Sequence, residues 1–464
     1  MGMRRISMST GTSEPADLSI TESIESMRRG EMSAVELLQS SLRRLDHTEP
    51  QLHAFTHVAR EGALAEARAR DVLRAKGGWA GALHGIPIAI KDLFNTFDMP
   101  TEAGSKVLAG NRPAKDAAAV TRLREAGAVL IGKTTTHEFS YGLNEPPTRN
   151  SWDVKRYPGG SSAGSAVAVA VGSAAGSIGT DNAGSVRTPA AVNGIVGLKP
   201  TYGVISTEGV IPTSPSLDHV GPLARSVEDC TLLFEVLAGE EPGALRERSP
   251  QPGRKPLRGM QLGVDRHYFF DSGVEPDVAA AVDAALEVME RAGASVVEIN
   301  IPELELATAV ANTIMVVEAS RWHRRLLRTR RRDYHPRTRV MLEVGELVPA
   351  SAYVDALRAR ELIREAVKQV FVSEELDAIV APSTPVKAPP IERATELSGL
   401  VHHQCPANLT GQPSLGVPCG ISRGGLPIGL QIIGRPFAEA TLVTIATAYE
   451  EAAGWYRMRP PYAN

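Results

Sequence analysis

A chain of 464 residues is long enough for one large core or for two to three domains. With 43% hydrophobic and 22% charged residues and a formal net charge of −3, it reads as a soluble globular protein, with no nucleic acid and no membrane expected as partner. Its three cysteines, Cys230, Cys405 and Cys419, form no CxxC pair and no metal-ligand spacing, which argues against a disulfide framework and for reduced core thiols in a cytoplasmic protein.

Residues 1–17 are polar, without an apolar run after Arg4 and Arg5. They are expected to be a disordered tail, neither signal peptide nor membrane anchor, ahead of one domain spanning 18–464. Apolar positions Ile20, Ile24, Met27, Val35, Leu38, Leu42 and Leu45 recur at helical spacing, and Ala54–Arg74 reads as a further helix, so 18–75 is expected to be helical. Residues 86–90 form a short apolar run of strand length ending at Lys91. A helix is expected over 117–126 and a buried strand over 128–133. This alternation predicts an α/β fold with a mixed sheet.

Between Tyr157 and Thr188 the chain is mostly Gly, Ser and Ala, a composition that also suits a flexible linker. Residues 163–171, however, are an unbroken run of small and β-branched side chains suited to a buried helix, and Ser and Gly interrupt the block too often for a membrane span. Downstream, a helix is expected over 226–237 and a surface loop over 240–258. A strand-helix-strand unit follows at 262–264, 275–292 and 295–299. Residues 303–372 read as largely helical, with the cationic stretch Arg321–Arg339 as a solvated face. Late strands at 378–380, 414–417 and 428–433 precede a closing helix at 438–453.

Chemistry concentrates in two adjacent blocks, GGSSAG at 159–164 and GTDNAGSVR at 179–187. A phosphate loop would carry Lys after its last Gly, where this chain has Ser165. A serine nucleophile fits better, provided a base takes its proton. The run Asn182-Ala183-Gly184-Ser185 places small residues where successive N–H groups must converge on an oxyanion, and a bulky side chain there would block the approach of a carbonyl. Asp181 and Arg187 flank this run and read as a buried ion pair holding the loop. His137-Glu138 resembles half of a zinc HExxH motif, but position 141 is Tyr, so no metal is expected. No histidine sits in a setting that suggests a Ser-His-Asp triad.

The block GGSSAGSAVAVAVGSAAGSIGTDNAGSVRTPA resembles the amidase signature, which names a large family of serine amide hydrolases. The resemblance runs from about residue 20 to 460. It includes GIPIAIKD around Lys91, GKTTTHEFSYG at 132–142, NGIVGLKPTYGVIS at 193–206, SPSLDHVGPLARSVED at 214–229, PANLTGQPSLGVPCG at 406–420 and LPIGLQIIGRPF at 426–437. It implies a central mixed sheet of about eleven strands wrapped by helices. It further implies Ser185 as nucleophile, Ser161 as a bridging serine held by a cis peptide, and Lys91 as general base. An acyl-enzyme and an oxyanion hole at 182–185 complete the chemistry. No cofactor is implied. The partner implied is a small-molecule amide, with esters and carbamates as related substrates, and the assembly a monomer or homodimer.

A substrate pocket is expected from Phe94, Phe139, Tyr141, Gly142 and Ser161, with Phe97, Met99 and Leu143 as further apolar lining and the helical segment of about 303–400 as its other wall. Ala163 and Ala183 depart from the commonest family residues, but both are small. The resemblance leaves a second reading, the amidase component of a glutamine-dependent tRNA amidotransferase. Against it stand PANLTGQPSLGVPCG, which looks more like stand-alone amidases, and the lack of a carboxylate between Gly399 and Ala407. A third reading is a non-catalytic binding protein on the same fold.

Overall fold

Capping chemistry starts the first two long helices. Ser19 and Glu22 exchange side-chain and backbone hydrogen bonds at the head of Ile20–Arg29, and Ser33 and Glu36 do the same for Ala34–Leu52. Both helices bury an apolar face, with Ile20, Met27, Leu37, Leu38 and Leu45 in the main core. The computed structural model describes residues 14–142, 147–248, 255–271, 273–396 and 398–463. Within it Pro15–Asp17, expected to lie in a disordered tail, form a 3-10 turn, Ala16 is buried, and Asp17 pairs with Arg44 at 3.2 Å. Residues 1–13 and Leu143 lie outside the described residues.

Eleven strands among the described residues form one mixed sheet: β1 (Phe55–Val58), β2 (Pro87–Lys91), β3 (Val129–Thr134), β4 (Gly176–Asp181), β5 (Val196–Lys199), β6 (His219–Ala224), β7 (Gln261–Val264), β8 (Ser295–Glu298), β9 (Ala378–Pro382), β10 (Ser414–Ile421) and β11 (Pro427–Gly434). Their order is β1-β3-β2-β4-β6-β5-β10-β11-β9-β7-β8. The triplets β3-β2-β4 and β8-β7-β9 are parallel, and the remaining pairs are antiparallel. β2 to β6 are buried at every position, as strands covered on both faces must be.

The stretch expected as one helix over 54–74 divides into β1 and the helix Arg60–Ala75. Phe-Thr-His-Val has the residue types of a strand, and β3 offers it a free edge to pair with. β4, β5 and β6 were not expected as strands, because Gly-rich and Pro-containing sequence hides the pattern of a fully buried strand.

The helices Ala307–Arg330, Pro336–Gly345 and Ala350–Ser373 occupy the 303–372 region expected to be helical. The first and third contribute to a second apolar cluster, which also includes Ala183, Leu217, Cys405 and Leu409. A helical layer and the end of β4 therefore share one core, which brings the helical wall against the Ser185 turn. All three cysteines are buried and unpaired. No described helix is long and apolar enough to cross a membrane.

Candidate active site

β2 and β4 are parallel neighbours, with Ile90 opposite Ile178, so their C-terminal ends lie side by side. Open α/β sheets place ligands beyond such ends. β2 ends at Lys91, and β4 runs through Thr180 and Asp181 into the turn at 182–186 and the helix Arg187–Asn193. The Gly-rich strip at 159–162 crosses the same edge before the buried helix Ala163–Ala170. It carries a cis peptide between Gly160 and Ser161.

These elements gather the three relay candidates. Lys91 is fully buried, and its Nζ lies 2.8 Å from Ser161 Oγ. Ser161 is buried, whereas Ser185 is partly exposed at the open side of the turn. The loops are tied together by Ser162 N–H donating to Ser185 O at 3.2 Å. Among the described residues the Ser185 hydroxyl makes no hydrogen bond, and no histidine reaches it. Burial holds the Lys91 pKa well below its ordinary value of 10.5, against the opposing pull of Asp181 and Asp218. Burial thus favours the neutral amine over the ammonium.

Two further hydroxyls complete the surroundings of the amine. Thr180 Oγ1 lies 2.8 Å from Lys91 Nζ and Ser140 Oγ 3.0 Å from it, and Ser140 Oγ is also hydrogen-bonded to Ser161 Oγ. Neither was singled out from the sequence. Thr180 stands inside GTDNAGSVR and Ser140 inside HEFSYG, so position in those motifs was the available signal.

The turn around Ser185 is built on the ion pair read from the sequence. Asp181 and Arg187 are both fully buried and 3.0 Å apart. Asp181 also accepts from Gly184 N–H at 2.7 Å and Val186 N–H at 3.1 Å. Arg187 further donates to Asn408, Gln431 and the Gln404 carbonyl. Burial works to raise the Asp181 pKa, but the guanidinium and the N–H donors overcome it and hold the carboxyl well below the usual range.

The oxyanion expectation is corrected at one position: Gly184 N–H is already donated to Asp181. The N–H groups of Asn182, Ala183 and Ser185 have no acceptor among the described residues. Gly184 is nevertheless required, since its φ is 110° and a Cβ there would come within 2.7 Å of the Gln404 side chain. Asn182 Nδ2 donates to Asp218 at 3.4 Å. Asp218 is also bonded by the N–H groups of Thr213 and Ser214, and burial pushes its pKa up to about 6.

The expected pocket lining is corrected more widely. Phe94 and Met99 are sealed in the main core. Phe139 has no exposed surface and packs against Trp322, His323 and Tyr334. Phe97 is 56% exposed and lies under Arg124 on the surface. Side chains without accessible surface cannot meet a ligand, and Phe97 faces bulk solvent. Tyr141 is half-buried between two apolar clusters, and Gly142 is buried with its N–H on the Glu138 carbonyl. Of His137-Glu138, the glutamate serves Ser105 and the His335 N–H, while His137 Nε2 meets the Tyr157 hydroxyl at 3.2 Å.

A buried amine beside one serine, with a second serine on a turn where the N–H groups of Asn182, Ala183 and Ser185 have no acceptor among the described residues, is the arrangement of serine amide hydrolases that use lysine in place of histidine. The Amidase family profile matches residues 36–443, and the chain belongs to that family, whose members are enzymes that cleave amide carbon–nitrogen bonds. It is 40% identical to a glutamyl-tRNA(Gln) amidotransferase component of Chloroflexus aggregans, over 96% of this chain and 99% of that one. A crystal structure of an amidase superposes with a TM-score of 0.86 at 34% identity, covering 94% of this chain and 100% of the other. The native peptide amidase of Stenotrophomonas maltophilia gives 0.81 at 32% identity, covering 96% and 98%.

Proposed function

We propose that the protein cleaves a carboxamide by acyl transfer to Ser185, with Ser161 and Lys91 as its proton relay. The observation that carries this reading is the 2.8 Å contact between fully buried Lys91 and Ser161, directly behind the turn that bears Ser185. Ser185 Oγ attacks the carbonyl carbon while its proton passes to Ser161, and the Ser161 proton passes to neutral Lys91. The oxyanion formed meets the N–H groups of Asn182, Ala183 and Ser185. The relay then returns a proton to the departing nitrogen, leaving an ester on Ser185. Water activated by the same relay hydrolyses that ester. Of the expected lining, Tyr141 and Gly142 remain as the proposed substrate contacts.

As to the amide, the amidotransferase relative at 40% identity over nearly the whole of both chains supports glutamine as substrate. The ammonia released would then be used on a partner chain that holds a tRNA. This reading reverses the expectation that nucleic acid plays no part. A stand-alone amidase is the second reading. It is favoured by the superposition with the amidase and peptide amidase structures and by the lack of a carboxylate between Gly399 and Ala407 to hold an α-amino group.

The test is hydrolysis of glutamine, simple primary amides, acyl anilides, esters and carbamates by wild type, Ser185→Ala and Lys91→Ala. Ammonia release from glutamine alone supports the amidotransferase reading. Turnover of apolar amides without glutamine supports the stand-alone enzyme. Activity that survives Ser185→Ala removes the relay itself.

A further inference from the structure

Three hydroxyls surround Lys91 Nζ, at 2.8 Å (Ser161), 2.8 Å (Thr180) and 3.0 Å (Ser140). A neutral primary amine has two N–H donors and one lone pair, and an ammonium has three donors and no lone pair. A hydroxyl can donate or accept, so the same three oxygens satisfy both states. If two of them accept the N–H groups of the neutral amine, its lone pair is left for the third. Only Ser161 lies on the route to Ser185, so the other two must be the acceptors.

Resting on the relay proposed above, we infer that Ser140 is a positioning residue of the reaction, accepting one N–H of Lys91 so that the amine lone pair faces Ser161. Its hydroxyl is bonded to Ser161 as well as to Lys91, and it lies 3.4 Å from Thr180 Oγ1, so it closes a ring of oxygens around the amine. Ser140 is also held in place by backbone that few residues adopt. Phe139 and Ser140 have φ of 52° and 59°, left-handed values disfavoured for residues with a Cβ.

Neighbouring contacts hold that conformation. Phe139 N–H donates to Ala103 O, Thr213 Oγ1 donates to Phe139 O, and the Phe139 ring is wedged among Trp322, His323 and Tyr334. Two consecutive left-handed residues, enforced by packing, turn a serine from the 137–142 loop onto an amine at the end of β2. Unusual backbone of this kind collects at functional sites.

The experiment compares kcat, KM and the pH dependence of kcat for wild type, Ser140→Ala and Ser140→Gly. Glycine removes the same hydroxyl and also accepts the left-handed backbone without a penalty. Both variants are expected to lose about 10- to 100-fold in kcat, the effect of one lost hydrogen bond to a charged group, with KM nearly unchanged. The acid limb of the profile is expected to move to lower pH, because the ammonium loses one of three acceptors and is the state that suffers more. The other ionisable groups acting on the amine, Asp181, Asp218 and His137, are the same in all three proteins.

Three outcomes overturn the inference: kcat within about twofold of wild type, well short of the loss of one hydrogen bond; a fall in kcat with an unmoved pH profile; or recovery of wild-type kcat in Ser140→Gly, which would assign the effect to backbone. A fluorophosphonate probe separates this inference from the reading beneath it. Wild type that fails to label at Ser185 overturns the relay, and with it the role of Ser140. Wild-type labelling matched in rate by Ser140→Ala overturns the role of Ser140 alone.

Discussion

Lys91 and Lys133 stand near the ends of neighbouring parallel strands, both without exposed surface, yet their surroundings are of opposite kinds. Lys133 Nζ meets the Asp92 carboxylate at 3.3 Å, the carbonyls of Phe94 and Pro100 at 2.8 and 3.1 Å, and the Thr101 hydroxyl at 2.7 Å. Carboxylates and carbonyls only accept, so this cage is satisfied by an ammonium. Among the described residues Lys91 meets hydroxyls alone, which satisfy the amine and the ammonium equally well. Burial lowers the pKa of both lysines, and for Lys133 the adjacent Asp92 opposes it. Burial by itself therefore does not make a base. Among the described residues the partners of Lys91 are all hydroxyls, which suits the proposed base, whereas those of Lys133 include a carboxylate and two carbonyls that can only accept.

The sharpest way to break this comparison is at the proposed relay. Ser185→Ala is expected to lower kcat by about 10^5-fold and to abolish fluorophosphonate labelling, with an unchanged circular dichroism spectrum. Lys91→Ala follows, at about 10^3-fold or more, and Lys91→Arg is expected not to restore activity because a guanidinium stays charged. On the proposed relay the working form of Lys91 is neutral, so kcat/KM is expected to fall as pH drops through its pKa. With that pKa well below 10.5, the plateau is expected to be reached well before pH 10.5, and an acid limb near the ordinary lysine value would contradict the burial argument.

At the other lysine the effect falls on stability. Lys133→Met leaves Asp92 buried without its counter-charge, with only the N–H groups of Glu102 and Gly104 to bind it among the described residues, at an expected cost of about 3–5 kcal/mol in urea unfolding, and Asp92→Asn with Lys133→Met is expected to recover part of it. A large loss of kcat in folded Lys133→Met, without loss of stability, would erase the distinction between the two lysines. The smallest effect is expected at the surface. Phe97→Ala is expected to change stability by less than about 0.5 kcal/mol and to leave KM unmoved, in contrast to Tyr141→Ala, which is expected to raise KM.

Much of the candidate site was legible in sequence because it is encoded locally. Lys91 ends a short apolar run, and Ser161 and Ser185 sit in Gly/Ser blocks whose small residues have no other obvious use. The Asp181–Arg187 pair also followed from sequence, since both residues flank one turn and neither charge can be left alone in a core. Legibility failed where a residue's meaning depends on the direction of its side chain. Phe94 and Phe139 read as pocket lining from type and position, but they point into packed clusters, and Gly184 directs its N–H to Asp181.

What the sequence determined by itself was the family with its amide-cleaving chemistry and an α/β sheet whose strands alternate with helices, and it put forward the three residues of the proposed relay, because motif spacing and apolar runs are properties of the chain. Tertiary structure alone decided that β4, β5 and β6 are strands, that Ser140 and Thr180 complete the surroundings of the amine, and that Lys91 differs in kind from Lys133. The reason is physical: a lysine's protonation depends on which atoms surround it in a dry interior, and residues from β2, β4 and two loops meet there only after the sheet has formed.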